Sequence, residues 1–498
     1  MKKLFLALLF AGFAGNAQNA YEIKFDIKNL KDTVCYLFKY RWESYNTIDT
    51  ATVKKGEFTF KGKEPLEKGI YFVVRQNRNI LGFDFLVDSV QKFAIATDTI
   101  GLYAAMKIKN SSLNEDFKNF VLFMTEHNKA MMDYEKELKL RKEKDSTELL
   151  AKERKKHFEA IKKYQTDYLN KNPQTYLSQI IRMQSEVPKA PEAPLNAKGE
   201  KDPAWEYNYY VSNYWNGIPL NNVSTLNTNK IYYQRLKNYF EKIVLQDPDT
   251  LIKTCDRLMK QTAGCEEMYK YMGFYLTYTI DRSKIVGHDA VFVDLVNKYY
   301  KTNKANWYND EQNKKIIARA EILEPLLIGK IMPDMNLVDT TGAKTIQKLG
   351  IDTITTSENL TNAYYANLKT LQNTFVPLHK VKADFTIVIF WDVDCGHCQH
   401  DVPKLKELYD KMKADGKNVE VYAVYAHHDV KKWKKFIRDN KLNWINVYDG
   451  VHLNDFKTKY DMYSYPVIYL LDKNKTIKSK RIGVEQLEGI IEHFSKNG

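Results

Sequence analysis

Cysteine is scarce in this chain: five in 498 residues, at Cys35, Cys255, Cys265, Cys395 and Cys398. That is too few for a disulfide-stapled scaffold, and a chain of this length buries enough apolar surface to fold without staples. Proline (13) and glycine (21) are also sparse, which excludes collagen-like and low-complexity chains. No stretch reaches the roughly 18 apolar residues that cross a bilayer as a helix. A stripe of single-signed charge is missing too. The formal net charge is +14, but lysines alternate with acids along segments such as 136–163. That is the pattern of a solvated helix face, not of a nucleic-acid footprint, and leaves at most a weak attraction to anionic headgroups.

What is present is aromatic: 13% of residues, with 34 tyrosines, which argues for packed domains. The length suggests about three of them. The first 17 residues read as a secretory signal peptide. Lys2 and Lys3 precede the short apolar run Leu4 to Phe13, and Gly15 and Ala17 occupy the −3 and −1 positions of a cleavage site. A mature, soluble, exported chain is expected to start near Gln18, in the periplasm or cell envelope. No cysteine stands at the cut, so a lipobox anchor is not expected. Losing two lysines and no acid takes the charge from +14 to +12.

Residues 18–105 alternate apolar and polar side chains, as in Tyr21, Ile23, Phe25, Ile27 and again Phe58, Phe60. Short strands at this spacing predict an N-terminal antiparallel β-sandwich. Residues 106–328 read as a helical domain. Ser112-Leu-Asn-Glu115 fits a capping box, and Phe117, Phe120, Met124, Met131 and Leu138 then recur on a helical period, predicting one long helix that continues to about Asn170. Pro188, Pro191, Pro194 and Pro203 mark an exposed loop over 187–203. Cys255 and Cys265 flank Thr262-Ala263-Gly264, where a helical hairpin would bring them near one another; Cys35 reads as a buried strand residue. From 329 to 498 strands alternate with helices, the signature of an α/β domain. Its continuous apolar run Phe385 to Trp391 fits a strand buried on both faces.

That strand leads into Trp391-Asp-Val-Asp-Cys395-Gly-His-Cys398, which opens a helix. A cysteine at a helix N-terminus faces unpaired N–H groups and the positive end of the macrodipole, so its thiolate, the reactive species, is favoured. Cys395 is therefore the expected nucleophile toward a disulfide, and Cys398, one turn inward, the resolving thiol. His397 as imidazolium would favour the reduced form and an oxidising pair. Asp394, beside Cys395, would oppose its thiolate, and with Asp392 it leaves the redox poise open.

Residues 329–498 resemble the TlpA-like thioredoxin-fold oxidoreductases of the bacterial envelope. Gly329, Lys330, Pro333 and Asp334 match that group's opening segment; Phe390, Trp391, the two cysteines and Pro403 match its active-site line. Gly396-His397 is the dipeptide of protein disulfide isomerases. The resemblance implies a cis-proline opposite the cysteines, at Tyr465-Pro466. It gives Cys395, Cys398, His397 and Pro466 catalytic roles, with Asp394, Gly396, Trp391 and Tyr465 tuning the pair. It also implies protein thiols and disulfides as substrates, an upstream redox partner in the envelope, and no cofactor. Asp49-Thr-Ala-Thr-Val-Lys-Lys-Gly-Glu-Phe-Thr-Phe60 resembles the β-rich module of multidomain Bacteroidetes-type proteins with a helical middle. Two departures stand out. The buried acid that the family places six residues before the first cysteine is Ile389 here, so water, Asp394 or His397 would have to substitute. Residues 346–382 also exceed the usual connection, as a partner-specific loop or cover would.

Other chemistries fit less well. A c-type haem site needs histidine directly after the second cysteine, and residue 399 is Gln. A peroxidase reading lacks its Thr/Arg set. The alternatives are an envelope binding or scaffold protein with a secondary redox domain, and a metal-handling protein, copper foremost. The latter would draw on the two cysteines with His397, His400, His427 and His428.

Overall fold

The computed structural model describes residues 19–76, 80–141, 145–195, 198–452 and 456–497. The expected leader, residues 1–17, lies outside the described residues. The chain forms two compact units. One runs up to Leu245 and takes in Arg257–Met272; the other takes Gln246–Asp256 and everything from Gly273. The helical middle thus contributes to both.

Eight strands open the first unit: β1 (Tyr21–Lys28), β2 (Thr33–Arg41), β3 (Ser44–Val53), β4 (Glu57–Gly62), β5 (Gly69–Arg75), β6 (Ile80–Val87), β7 (Lys92–Asp98) and β8 (Lys107–Lys109). They make two four-stranded sheets, ordered β4-β1-β7-β8 and β3-β2-β5-β6. The alternation in sequence becomes a shared core: Ile23, Phe25, Phe58 and Phe60 from one sheet meet Leu37, Val73, Phe83 and Phe85 from the other. Phe25 stacks on its cross-strand partner Phe58 at 4.9 Å between centroids. One pair, β1 with β7, runs parallel rather than antiparallel, because the connection between them passes through the second sheet. Gly56 turns the chain into β4 at φ +87°, where an added Cβ would lie 2.5 Å from the Ile27 carbonyl oxygen.

The long helix expected from residue 112 is two helices, Ser112–Arg141 and Ser146–Lys171. They pack side by side, with Phe123 on Tyr164 (4.4 Å) and His127 Nδ1 2.6 Å from His157 Nδ1. Folding back covers an aromatic stripe that one straight helix would leave in water. The cap also differs from expectation. Asn114 N–H donates to Ser111 Oγ, one residue early, and Glu115 accepts from Ile108 N–H.

The second unit ends in a seven-stranded sheet of β9 (Asn336–Asp339), β10 (Phe375–Pro377), β11 (Phe385–Trp391), β12 (Val419–Tyr425), β13 (Ile445–Tyr448), β14 (Val467–Asp472) and β15 (Ile477–Lys480). Its order is β10-β9-β13-β12-β11-β14-β15, with β11, β12 and β13 parallel and the flanking strands antiparallel. Central β11 is apolar except for Thr386, whose hydroxyl accepts from Lys475 Nζ at 3.2 Å, because both its faces are covered. Ile387, Ile389 and Trp391 join one core with Leu405 and Leu487; Val388 and Phe390 join another with Tyr422 and Tyr460. After β9 the chain enters a helix, Thr340–Lys348. The Asp339 carboxylate accepts from the N–H groups of Thr341 and Gly342 at 2.9 and 2.7 Å. Two further helices, Ser357–Ala366 and Leu368–Gln372, fill the long connection to β10. No helix among the described residues is long and apolar enough to cross a membrane.

Candidate active site

The site sits where β11 ends and the Gly396–Ala414 helix begins. Cys395 is the N-cap of that helix, in extended backbone geometry. Cys398 therefore lies in the first turn, facing inward: it is fully buried in the core that holds Ile389, Trp391 and Val402, while Cys395 is half-buried at the rim. Both thiols are free. Burial pushes the Cys398 thiol well above the ordinary range, and a backbone hydrogen bond from Asp392 partly opposes that rise. Cys395 Sγ lies 3.4 Å from the Tyr465 carbonyl oxygen. The Tyr465–Pro466 peptide, at the entry to β14, is cis.

The remaining residues singled out in the sequence divide by environment. Trp391 is wholly buried, 5.0 Å from Phe436 and 5.9 Å from Tyr425 between centroids, with its Nε1 buried and unpartnered. Gly396 has open space where a Cβ would go, so packing does not require glycine there. Asp394 is exposed and ion-paired with Lys432 at 2.8 Å. His397 is also exposed and, with Asp401, Tyr463, Pro466 and Arg481, lines a groove of about 510 Å³. Asp461, whose side chain is 2% exposed, forks between Arg481 and Arg319 of the Asp310–Leu323 helix and anchors the approach to the cis-proline. Sequence reasoning missed Asp401, Asp461 and Arg481, because no local motif joins residues that converge from separate segments.

The histidines weighed for a metal do not converge. His427 faces Asp392, His428 packs at a tilt against His452 with centroids 4.0 Å apart, and His400 bonds Asp401. No group of three or more His, Cys, Asp or Glu side chains among the described residues is arranged to hold a metal ion. Cys255 and Cys265 are both free thiols, and Cys35 is buried in the sandwich.

Residues 383–477 match the thioredoxin-like family. The chain is 28% identical over 129 residues to thiol-disulfide oxidoreductase ResA of Bacillus cereus, covering 25% of this chain and 72% of the relative. It is 27% identical over 125 residues to sporulation thiol-disulfide oxidoreductase A of Bacillus subtilis, covering 24% and 74%. The chain is a thiol–disulfide oxidoreductase with a thioredoxin-like C-terminal domain. Among solved structures, a domain of a possible thiol-disulfide isomerase from Cytophaga hutchinsonii is 37% identical and covers 35% of this oxidoreductase and 96% of that chain, with a TM-score of 0.27. Residues 21–117 and 141–324 match two domains of unknown function, DUF4369 and DUF5106. The N-terminal β-rich region, helical middle and C-terminal thioredoxin-like domain are thus each represented among known families.

Proposed function

We infer that the protein is an exported oxidoreductase that exchanges electrons with protein disulfides of the cell envelope through Cys395 and Cys398. The observation that carries this reading is the pairing of an accessible thiol at a helix N-terminus with a buried thiol one turn behind it, beside the cis-proline segment. Cys395 attacks and forms the mixed disulfide; Cys398 then displaces the partner and closes the Cys395–Cys398 disulfide. His397, exposed at the groove, meets the incoming polypeptide, while Trp391, Gly396, Asp394 and Tyr465 shape the environment of the pair. Export rests on the leader-like residues 1–17 and on the extracytoplasmic nature of this class of enzyme. An upstream redox partner would restore the pair after each turnover.

The test is trapping. A Cys398→Ser variant expressed with its leader in the native cell should accumulate mixed disulfides with envelope proteins through Cys395, and a Cys395→Ser, Cys398→Ser double variant should accumulate none. Recovery of cytosolic proteins alone from the single variant would sink the envelope assignment.

A further inference from the structure

Resolution of the mixed disulfide needs a proton to leave Cys398, and the fold makes that difficult. Cys398 is fully buried, and burial is the largest cause holding its proton in place. Ile389, where the family resemblance leads one to expect an acid, is fully buried among apolar side chains. Asp394 is exposed and held by Lys432, and His397 is exposed on the groove side. Asp392 differs from both. Its backbone hydrogen-bonds the Cys398 sulfur, and the charge of its carboxylate helps hold the proton on that thiol. The carboxylate is only 16% exposed, and its Oδ2 lies 3.4 Å from Nε2 of His427, which is 52% exposed. Its Oδ1 accepts the Asp394 N–H at 3.2 Å, which fixes its orientation.

The geometry points to Asp392 as the proton acceptor for Cys398, with His427 passing the proton on to solvent. The inference rests on Cys398 being the resolving thiol. In the mixed disulfide, Cys395 Sγ is bonded to a substrate sulfur. Cys398 gives its proton to the Asp392 carboxylate, and the thiolate attacks Cys395 Sγ. The bond from Cys395 to the substrate breaks, and its electron pair leaves on the substrate sulfur, which takes a proton from water. Asp392 then loses its proton through His427. Over the full exchange two cysteine thiols are oxidised to one disulfide and one substrate disulfide is reduced to two thiols; the reverse direction uses the same route. The titratable and charged groups around Asp392 are Cys398, Tyr425, Tyr465, Asp394, Lys432 and His427. Burial raises both phenols, Tyr425 to about 12, so neither titrates in the working range.

The test uses the full chain in a Cys265→Ser background with one equivalent of dithiobis(nitrobenzoate). The first thionitrobenzoate released reports attack by Cys395; the second, first-order release reports resolution by Cys398. Asp392→Asn should slow the second release about 10- to 100-fold while changing the first less than about 3-fold, and resolution should then rise steadily with hydroxide. His427→Gln, at an exposed position, should slow the second release about 3-fold at neutral pH and be rescued by added imidazole. An unchanged second release in Asp392→Asn overturns the proposal, and so does equal slowing of both releases, which would make Asp392 merely structural. Absence of any second release from the parent dithiol overturns the resolving role of Cys398 itself.

Discussion

Two buried thiols, one in each sheet system, have opposite fates. Cys35 in β2 is sealed in the sandwich with Leu37, Tyr71 and Val73; burial, partly opposed by Arg75, pushes it up to about 11. Cys398 is buried as deeply and pushed up for the same first reason. The difference lies in the neighbourhood. Cys35 sits in mid-strand, with its backbone paired on both sides to β3 and β5. Cys398 lies in the first turn of a helix, one turn behind a half-buried thiol that faces the cis-proline segment. Burial alone makes a thiol inert. In the proposed mechanism, a helix N-terminus, an accessible partner thiol and a route for the proton set Cys398 apart.

The sharpest way to break this contrast is by nucleophile deletion. Cys395→Ser should lower thiol-dependent insulin reduction about 10³-fold or more, to the uncatalysed rate, whereas Cys35→Ala should change it less than about 2-fold. A comparable loss from Cys35→Ala would erase the distinction. Next comes packing. Phe25 touches Phe58, Phe60 and Phe85, so Phe25→Ala should destabilise the sandwich by about 3–5 kcal/mol in urea unfolding, with thiol exchange by the folded protein unaltered.

A third test separates the two sheets by pH. Burial raises the Asp84 carboxyl in the sandwich to about 6, partly opposed by hydrogen bonds from Tyr40 and Asn229. A raised acid binds its proton more tightly folded than unfolded. Its contribution to stability is therefore fully present below about pH 4 and lost as pH rises through about 6. Asp84→Asn should stabilise the sandwich by about 1–3 kcal/mol at pH 8 and by almost nothing at pH 4, measured by urea unfolding at both values. A gain that is the same at both pH values would show that the carboxyl is not the cause. The smallest effect is expected at the rim of the active site. Asp394→Asn removes a negative charge beside Cys395 and leaves Lys432 unpaired, so alkylation of Cys395 by iodoacetamide should speed up about 2-fold at neutral pH and low salt. A slower reaction would reverse the assigned sign.

Much of the catalytic sheet was legible because its signals are local. The apolar run Phe385 to Trp391 coincides with β11. His427, just past β12, reaches Asp392, just past β11, because the two parallel strands end together. The helical region was harder. A periodic stripe shows that a helix has a buried face but not where the chain doubles back, so one helix was expected where Ser112–Arg141 and Ser146–Lys171 pair. The parallel β1–β7 pair was likewise illegible, since alternation specifies a face and not a direction.

By itself the sequence determined the Cys395–Cys398 pair, its strand–helix setting and the apolar residue at Ile389, because each is written within a few neighbouring residues. Only the tertiary structure decided what surrounds the two thiols. Asp392, His427 and the Tyr465 carbonyl meet there because β11 and β12 end, and β14 begins, along one edge of the same sheet. Distances across that edge depend on how the strands are ordered and registered, which no local pattern of residues encodes.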